Sequence, residues 1–213
     1  MIRLVLADDH AILREGLMQL LRGQEDFEIV AEARDGHEVV KRVREIEFDV
    51  LVLDMSMPGR SGVELIRQVK AEKPRLRILV LTMHEEHQYA VRAIRAGASG
   101  YLTKEGAYAQ LVSAIRKVAG GGAYISAEVA EQLALNAMPG AQAAPHETLS
   151  DREFQVFRLI AEGKSMSEIA ERLKLSVKTV STHKANLLQK MGIATTGEII
   201  RYAIAHHLVE NSG

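Results

Sequence analysis

The 213-residue chain contains no cysteine. That absence excludes disulfide staples, thiol nucleophiles and cysteine-ligated zinc or iron–sulfur centres, and it fits a reducing compartment. Proline is scarce, with four residues, while 47% of the residues are hydrophobic and 26% charged, a composition that builds cores rather than a disordered polymer. There is no excess of one charge either. Twenty-seven basic residues against 28 acidic ones give a net charge of -1, so any surface that attracts nucleic acid must be local. No run approaches the ~18 apolar residues of a membrane span. The opening residues reach Asp8-Asp9 too soon to be a signal-peptide apolar region. The expectation is a soluble, cytoplasmic protein with no membrane partner, and at roughly 100 to 200 residues per domain it holds one large domain or two small ones.

From residue 2 to about 119, short apolar runs alternate with amphipathic stretches. The runs at 3–7, 28–31, 50–53, 78–81 and 99–102 are mostly continuous rather than alternating, as in strands of a parallel sheet covered on both faces. Helical spacing falls at 11–22, 37–46, 61–72, 86–96 and 107–118. This predicts a doubly wound α/β domain with a five-stranded parallel sheet built from right-handed crossovers. The pattern breaks at Gly120-Gly121-Gly122; a short helix fits 126–136, and the small-residue, proline-bounded stretch 138–145 reads as a linker. Beyond it lie four helix candidates. Three open on capping boxes, Ser150 with Glu153, Ser165 with Glu168 and Thr195 with Glu198, and the fourth begins at Ser176. Gly163 and Gly192 stand where helices end. The expected domains are 1–120, a linker with a short helix at 121–146, and a small all-α domain of four helices at 147–213.

In open α/β sheets, ligands bind beyond the carboxyl ends of the strands. There the sequence places Asp8 and Asp9 after the first strand, Asp54 after the third, Thr82 after the fourth and Lys104 after the fifth. Carboxylates gathered in one pocket repel each other, and a hard divalent cation relieves that repulsion; Mg²⁺ suits because it takes a few carboxylates and keeps waters. A carboxylate beside Mg²⁺ can attack a phosphoryl group whose charge an ammonium and a hydroxyl then neutralise. Asp54, Lys104 and Thr82 suit those roles. Other enzyme readings lack their motifs: there is no P-loop and no G-x-G-x-x-G after the first strand. Asp54-Met55-Ser56 lacks the second aspartate of a dehalogenase-type phosphatase, and in His84-Glu85-Glu86-His87 the histidines are three apart rather than four, which argues against zinc.

The set Asp8-Asp9, Asp54-Met55-x-Met57-Pro58-Gly59, Thr82, Gly97-Ala98-x-Gly100-Tyr101 and Lys104 resembles the receiver domain of two-component response regulators over residues 2 to about 119. The resemblance implies that Asp54 is the phospho-acceptor. It further implies that Asp9 ligates Mg²⁺ directly and Asp8 through water, with the Ser56 backbone carbonyl as another ligand, and that Thr82 and Tyr101 form a switch pair. One departure is Glu105, where many receivers have proline after the lysine. The subfamily named below commonly lacks that proline too.

Residues 168–183 read as two helices joined by a short turn, the spacing of a helix-turn-helix. Residues 147–171 carry six acids and three bases, whereas residues 172–197 carry five bases and no acid, so the second helix faces phosphates. Helical geometry gathers Val177, Val180, Leu187, Leu188 and Met191 on one apolar face. Lys178, Ser181, Thr182, Ala185 and Gln189 lie opposite, facing the major groove, and Thr179, His183, Asn186 and Lys190 lie along a flank that meets phosphates. Lys178 is the expected guanine contact. The motifs Leu149-Ser150-x-Arg152-Glu153, Ile160-Ala161-Glu162-Gly163, Glu168-Ile169-Ala170, Ser176-x-Lys178-Thr179-Val180-x-x-His183 and Lys190-Met191-Gly192 resemble the LuxR-type DNA-binding domain. Together the halves resemble a NarL/FixJ-type response regulator. That resemblance implies a transcription factor phosphorylated by a sensor histidine kinase, active as a homodimer on repeated half-sites of double-stranded DNA, with RNA polymerase as a further partner. It implies no enzyme beyond the receiver's own phosphorylation and dephosphorylation. A C-terminal domain that docks a protein, and a receiver controlled by abundance, remain open. So do the dimer face, among helices near 11–22, 86–96 and 107–118, and whether the resting receiver covers the reading helix.

Overall fold

The computed structural model describes residues 1–57, 62–82, 87–136, 144–206 and 208–209. The chain forms two compact units, Met1–Met138 and Pro139–Gly213. In the first, strands β1 (Ile2–Ala7), β2 (Phe27–Ala33), β3 (Val50–Asp54), β4 (Arg77–Thr82) and β5 (Gly100–Thr103) make one parallel sheet in the order β2-β1-β3-β4-β5. Helices α1 (Ala11–Arg22), α2 (Gly36–Glu45), α3 (Gly62–Glu72), α4 (His87–Arg95), α5 (Lys104–Ala119) and α6 (Ala127–Asn136) complete it. The expected doubly wound five-stranded sheet is present.

The continuous apolar runs reflect burial on both faces. Val5, Leu51, Leu53, Ile78 and Val80 enter one core with α2 and α3, whereas Leu4, Leu6, Val50, Val52, Leu79 and Leu81 enter the other with α1 and α5. Each fully buried Val, Leu or Ile contributes about 1.5–3 kcal/mol of transfer free energy. In this unit the elements agree with the sequence reading to within one residue at each end except in two places. Strand β2 runs three residues longer at its N-terminal and C-terminal ends combined than its apolar run, because backbone pairing with β1 takes in Phe27 before the run and Glu32 and Ala33 after it. Helix α5 starts at Lys104 rather than 107. Its N-cap Thr103 is extended and makes no side-chain cap, so no cap signal marks the start. Helix α2 carries an unforeseen box: Asp35 accepts from the His37 and Glu38 N–H groups, and Glu38 accepts from Arg34 N–H.

In the second unit, α7 (Asp151–Ala161), α8 (Met166–Leu173), α9 (Val177–Met191) and α10 (Thr196–Ala205) enclose Phe154, Phe157, Ile169, Val180, Leu187 and Ile199. All three expected capping boxes form, and Ser176 caps α9 by accepting from Thr179 N–H. Of the expected linker, 137–143 lie outside the described residues, and Pro145 opens a 3₁₀ turn over Pro145–Thr148. Pro58-Gly59 and residues 84–86 of the histidine pair are likewise outside them.

The turn of the helix-turn-helix rests on Lys174 at φ 54°, the one non-glycine with positive φ among the described residues. Its N–H donates to Glu171 O, and Leu175 N–H donates to Ala170 O at 2.8 Å. A left-handed L-residue costs about 1–2 kcal/mol, which glycine avoids at the expense of some chain entropy. Lys174→Gly is therefore expected to stabilise α8 and α9 by up to about 1 kcal/mol, read as slower exchange of their amide protons in the full chain.

Candidate functional site

The order of strands in the sheet builds the site. The chain reverses its lateral direction between β1 and β3, and the crevice at their carboxyl ends is where Asp8, Asp9 and Asp54 emerge. Asp8 and Asp54 are each about 1% exposed. Lys104 reaches in from the first residue of α5, its Nζ 2.7 Å from Asp54 Oδ2 and 2.8 Å from Asp8 Oδ2. Ser56 N–H donates to the other Asp54 oxygen at 3.0 Å, and His10 N–H donates to Asp8 Oδ1 at 2.7 Å. Asp9 is more open, with His10 Nδ1 3.0 Å from its carboxylate.

Electrostatics follow from this burial. Desolvation raises the Asp54 pKa above the ordinary carboxylate value, against the pull of Lys104 and of Ser56 N–H, and the nearby Asp8 charge pushes the same way. Burial works against the Lys104 charge, yet the hydrogen bonds and charges of Asp54 and Asp8 outweigh it and hold the ammonium above its ordinary value. Lys104 therefore stays charged. Thr82 is fully buried at the end of β4, and its hydroxyl hydrogen-bonds the Tyr101 phenol, whose pKa burial pushes up.

The donor set suits a hard divalent cation. One ligand atom each from Asp8, Asp9, His10 and Asp54 lies within 4.8 Å of the others. Asp8 Oδ2 has the ammonium beside it but no well-aligned hydrogen bond, so its lone pairs are directed into the pocket without a full complement of donors. Carboxylate oxygens in this number are what Mg²⁺ takes.

Arg14 was not anticipated. It is 7% exposed on α1, its Nη1 donates to the Asp8 backbone carbonyl at 2.7 Å, and its Nε donates to Glu32 at 2.9 Å. It fixes the turn that aims Asp8 and Asp9. The signal was readable: Arg14 precedes Leu17, Met18 and Leu21 at helical spacing, a charge on an apolar stripe.

In the second unit, Lys178, Ser181, Thr182, Ala185, Asn186 and Gln189 are exposed along α9, with Thr179 and His183 half-buried. The Ser181 and Thr182 hydroxyls donate back to the Val177 and Lys178 carbonyls, and Thr179 Oγ lies 2.8 Å from Ser176 Oγ. Val177 departs from its expected place on the apolar face. It is 47% exposed, because as the first residue of α9 it precedes the turn that packs. Lys190 also differs from a free phosphate-facing side chain: its Nζ lies 2.6 Å from Glu153, the buried capping-box carboxylate of α7.

Residues 4–116 match the response regulator receiver domain, and residues 147–203 match the bacterial regulatory proteins of the luxR family. The chain is a response regulator of the NarL/FixJ type. This response regulator is 37% identical over 209 residues to the response regulator UvrY of Escherichia coli, covering 98% of this chain and 96% of UvrY. It is 35% identical over 213 residues to the response regulator GacA of Pseudomonas viridiflava, covering 100% of both. Among solved structures it resembles RcsB from Salmonella enterica serovar Typhimurium bound to promoter rprA with the phosphomimetic BeF₃⁻. That match has 29% identity and a TM-score of 0.57, and covers 95% of this chain and 98% of that one. The response regulator thus joins a receiver to a LuxR-type DNA-binding domain.

The Glu153–Lys190 contact yields a pH-dependent expectation. Burial alone would raise the Glu153 pKa, but Lys190 and the Ser150 N–H and hydroxyl bring it below its ordinary value of 4.5. A depressed carboxylate pKa stabilises the fold above the unfolded value, and that stabilisation is lost as pH falls through the folded one. Lys190→Gln is expected to destabilise the helical unit by about 1 kcal/mol at neutral pH, with the gap to wild type closing on acidification below 4.5. Lys178→Ala should change stability by less than about 0.5 kcal/mol. Thermal unfolding across pH checks both.

Proposed function

We propose that this response regulator is a transcription factor switched by phosphorylation of Asp54, and the observation that carries the reading is Lys104 held between the Asp54 and Asp8 carboxylates. A sensor histidine kinase presents a phosphohistidine. The ionised Asp54 carboxylate, the form that Lys104 favours, attacks phosphorus; the new O–P bond forms as the N–P bond to imidazole breaks, and imidazole leaves with the electron pair. Lys104 then neutralises charge on the phosphoryl oxygens, and the Thr82 hydroxyl donates to one of them. Asp8, Asp9, Asp54 and the Ser56 carbonyl would hold Mg²⁺, which when bound screens the carboxylates and the transferring phosphoryl group. His10 stands beside the three carboxylates as a further donor. Arg14 keeps the turn that carries the two aspartates in place.

The domain assignment follows the same logic: a receiver at 1–120, a linker with a short helix at 121–146, and the DNA-binding domain at 147–213. On α9, Lys178, Ser181, Thr182, Ala185 and Gln189 read base edges, while Thr179, His183 and Asn186 meet phosphates. Lys190, tied to Glu153, orients α7 against α9 and reaches phosphate only at the margin of that contact. One such helix reads few base pairs, so two copies bind repeated half-sites as a dimer. Among the described residues no helix is long and apolar enough to cross a membrane, which accords with a cytoplasmic regulator that meets DNA and RNA polymerase. Beyond the receiver's own phosphorylation and dephosphorylation, no catalysis is assigned to it.

Two measurements test this. Incubation with Mg²⁺ and acetyl phosphate should add one phosphoryl mass to wild type and none to Asp54→Asn; equal uptake by the variant overturns the acceptor. Selection from a random duplex pool should recover a repeated half-site mainly with phosphodonor. On that site Lys178→Ala should reduce discrimination at one base position by about 1–3 kcal/mol, and equal losses on specific and random DNA overturn its role as a base reader.

A further inference from the structure

His10 follows the aspartate pair, and its side chain does not do what its position invites. It is the N-cap of α1, with an extended backbone, yet it makes no side-chain capping bond. The ring is turned to the acids instead. Its Nδ1 lies 3.0 Å from Asp9 Oδ1, 3.3 Å from Asp8 Oδ1 and 3.9 Å from Asp54 Oδ2. The backbone beneath the ring is held on both sides, since the His10 N–H donates to Asp8 Oδ1 at 2.7 Å and its carbonyl accepts Arg14 N–H at 2.9 Å. The Arg14 guanidinium in turn holds the Asp8 carbonyl. The His10 side chain is 63% exposed, so an ion can reach it from solvent. Among the described residues, Asp8, Asp9, His10 and Asp54 are the one group of three or more such side chains able to share an ion, and the imidazole is its softest donor.

We infer that His10 is a metal ligand through Nδ1, and that it makes the acid pocket selective for a first-row transition divalent cation of the cobalt, nickel and zinc class over Mg²⁺. The inference rests on the reading of this pocket as the cation site beside Asp54. Spacing supports it. Adjacent ligands of an octahedral ion at about 2.1 Å stand about 3.0 Å apart, and opposite ones about 4.2 Å. The three distances from Nδ1 to the carboxylates fall within that range. A ring that only donated a hydrogen bond would need one carboxylate, whereas this one has an oxygen of each of three within reach. Donor chemistry sets the selectivity. Mg²⁺ takes carboxylates and keeps its waters, and it gains little from a ring nitrogen. Imidazole suits the later ions, whose affinity for a mixed nitrogen and oxygen site rises from Mn²⁺ through Co²⁺ to Ni²⁺. His10 is therefore a specificity-determining residue, and occupancy of the Asp54 pocket depends on the supply of a scarce transition ion as well as on Mg²⁺.

The test uses the full chain with Mn²⁺ as the probe. The electron paramagnetic resonance signal of free Mn²⁺ gives its affinity, and displacement of bound Mn²⁺ by Mg²⁺, Co²⁺ and Ni²⁺ gives theirs, so that only ions entering the same pocket are read. Pulsed spectra of bound Mn²⁺ in protein labelled with nitrogen-15 histidine should show coupling to a ring nitrogen, and the coupling should be absent in His10→Gln. The same variant should weaken Ni²⁺ binding about tenfold or more, with the loss shrinking through Co²⁺ and Mn²⁺ and smallest for Mg²⁺. A ring that merely hydrogen-bonds Asp9 would give no nitrogen coupling and would change all four affinities by one factor. Either of those results, or a coupling that survives in His10→Gln, overturns the inference while leaving the Asp54 pocket as a cation site. Failure of wild type to bind Mn²⁺, or equal binding by Asp9→Asn, overturns the reading of the pocket and the inference with it.

Discussion

The receiver depends on one ammonium. Asp8 and Asp54 lie almost wholly out of solvent at the ends of adjacent strands, and two carboxylates in that position are tolerated only with a partner of opposite charge. Lys104 supplies it to both at once. As the first residue of α5 it stands at the positive end of a helix, where a cation is disfavoured. The carboxylates offset that disadvantage. The pocket is thereby left with more negative than positive charge, held in place by backbone and side-chain contacts, ready for a cation and a phosphoryl group.

Rigid surroundings keep this charge cluster from relaxing. The β3 strand is buried along its whole length and delivers Asp54 at its end, while Ser56 N–H fixes one oxygen of the carboxylate. Arg14 pins the Asp8 carbonyl to α1 and, through Glu32, to β2. Against this rigid floor, Thr82 is hydrogen-bonded to the Tyr101 phenol, and the Tyr101 ring continues into the apolar seat of α6.

The helical domain uses charge differently. Its helices are short, and three capping boxes satisfy the N-terminal amides of α7, α8 and α10. Glu153 serves twice, closing the box on Ser150 and binding Lys190 of α9. Contacts of this kind tie α7 to α9, whose own sequence carries no acidic side chain. The left-handed Lys174 makes the tight turn between α8 and α9 where glycine is the usual choice.

The local rules of the chain were sufficient for much of this. Apolar runs fixed five strands because parallel strands are buried on both faces, and the capping boxes marked three helix starts because their chemistry is confined to four residues. The residues at the strand ends, Asp8, Asp9, Asp54, Thr82 and Lys104, were legible because a doubly wound sheet brings strand ends together whatever lies between them. The rest depended on contacts distant in sequence. The start of α5 at Lys104 carries no capping signal, and Lys104 is fixed there by carboxylates 50 and 96 positions away along the chain. Arg14 showed as an odd charge on an apolar stripe, but only β2 beside α1 gives it Glu32. Helical periodicity placed Lys190 on the flank of α9, yet packing of α7 decided that its ammonium meets Glu153. The seat of α6 on Tyr101 and α4 had no sequence signature at all, since two apolar side chains on a brief helix, Val129 and Leu133, specify burial without specifying against what. Periodicity and caps are properties of neighbouring residues and can be read in order; which buried charge meets which, and which helix covers the switch, are settled only when the sheet closes and desolvation makes each unpaired group costly.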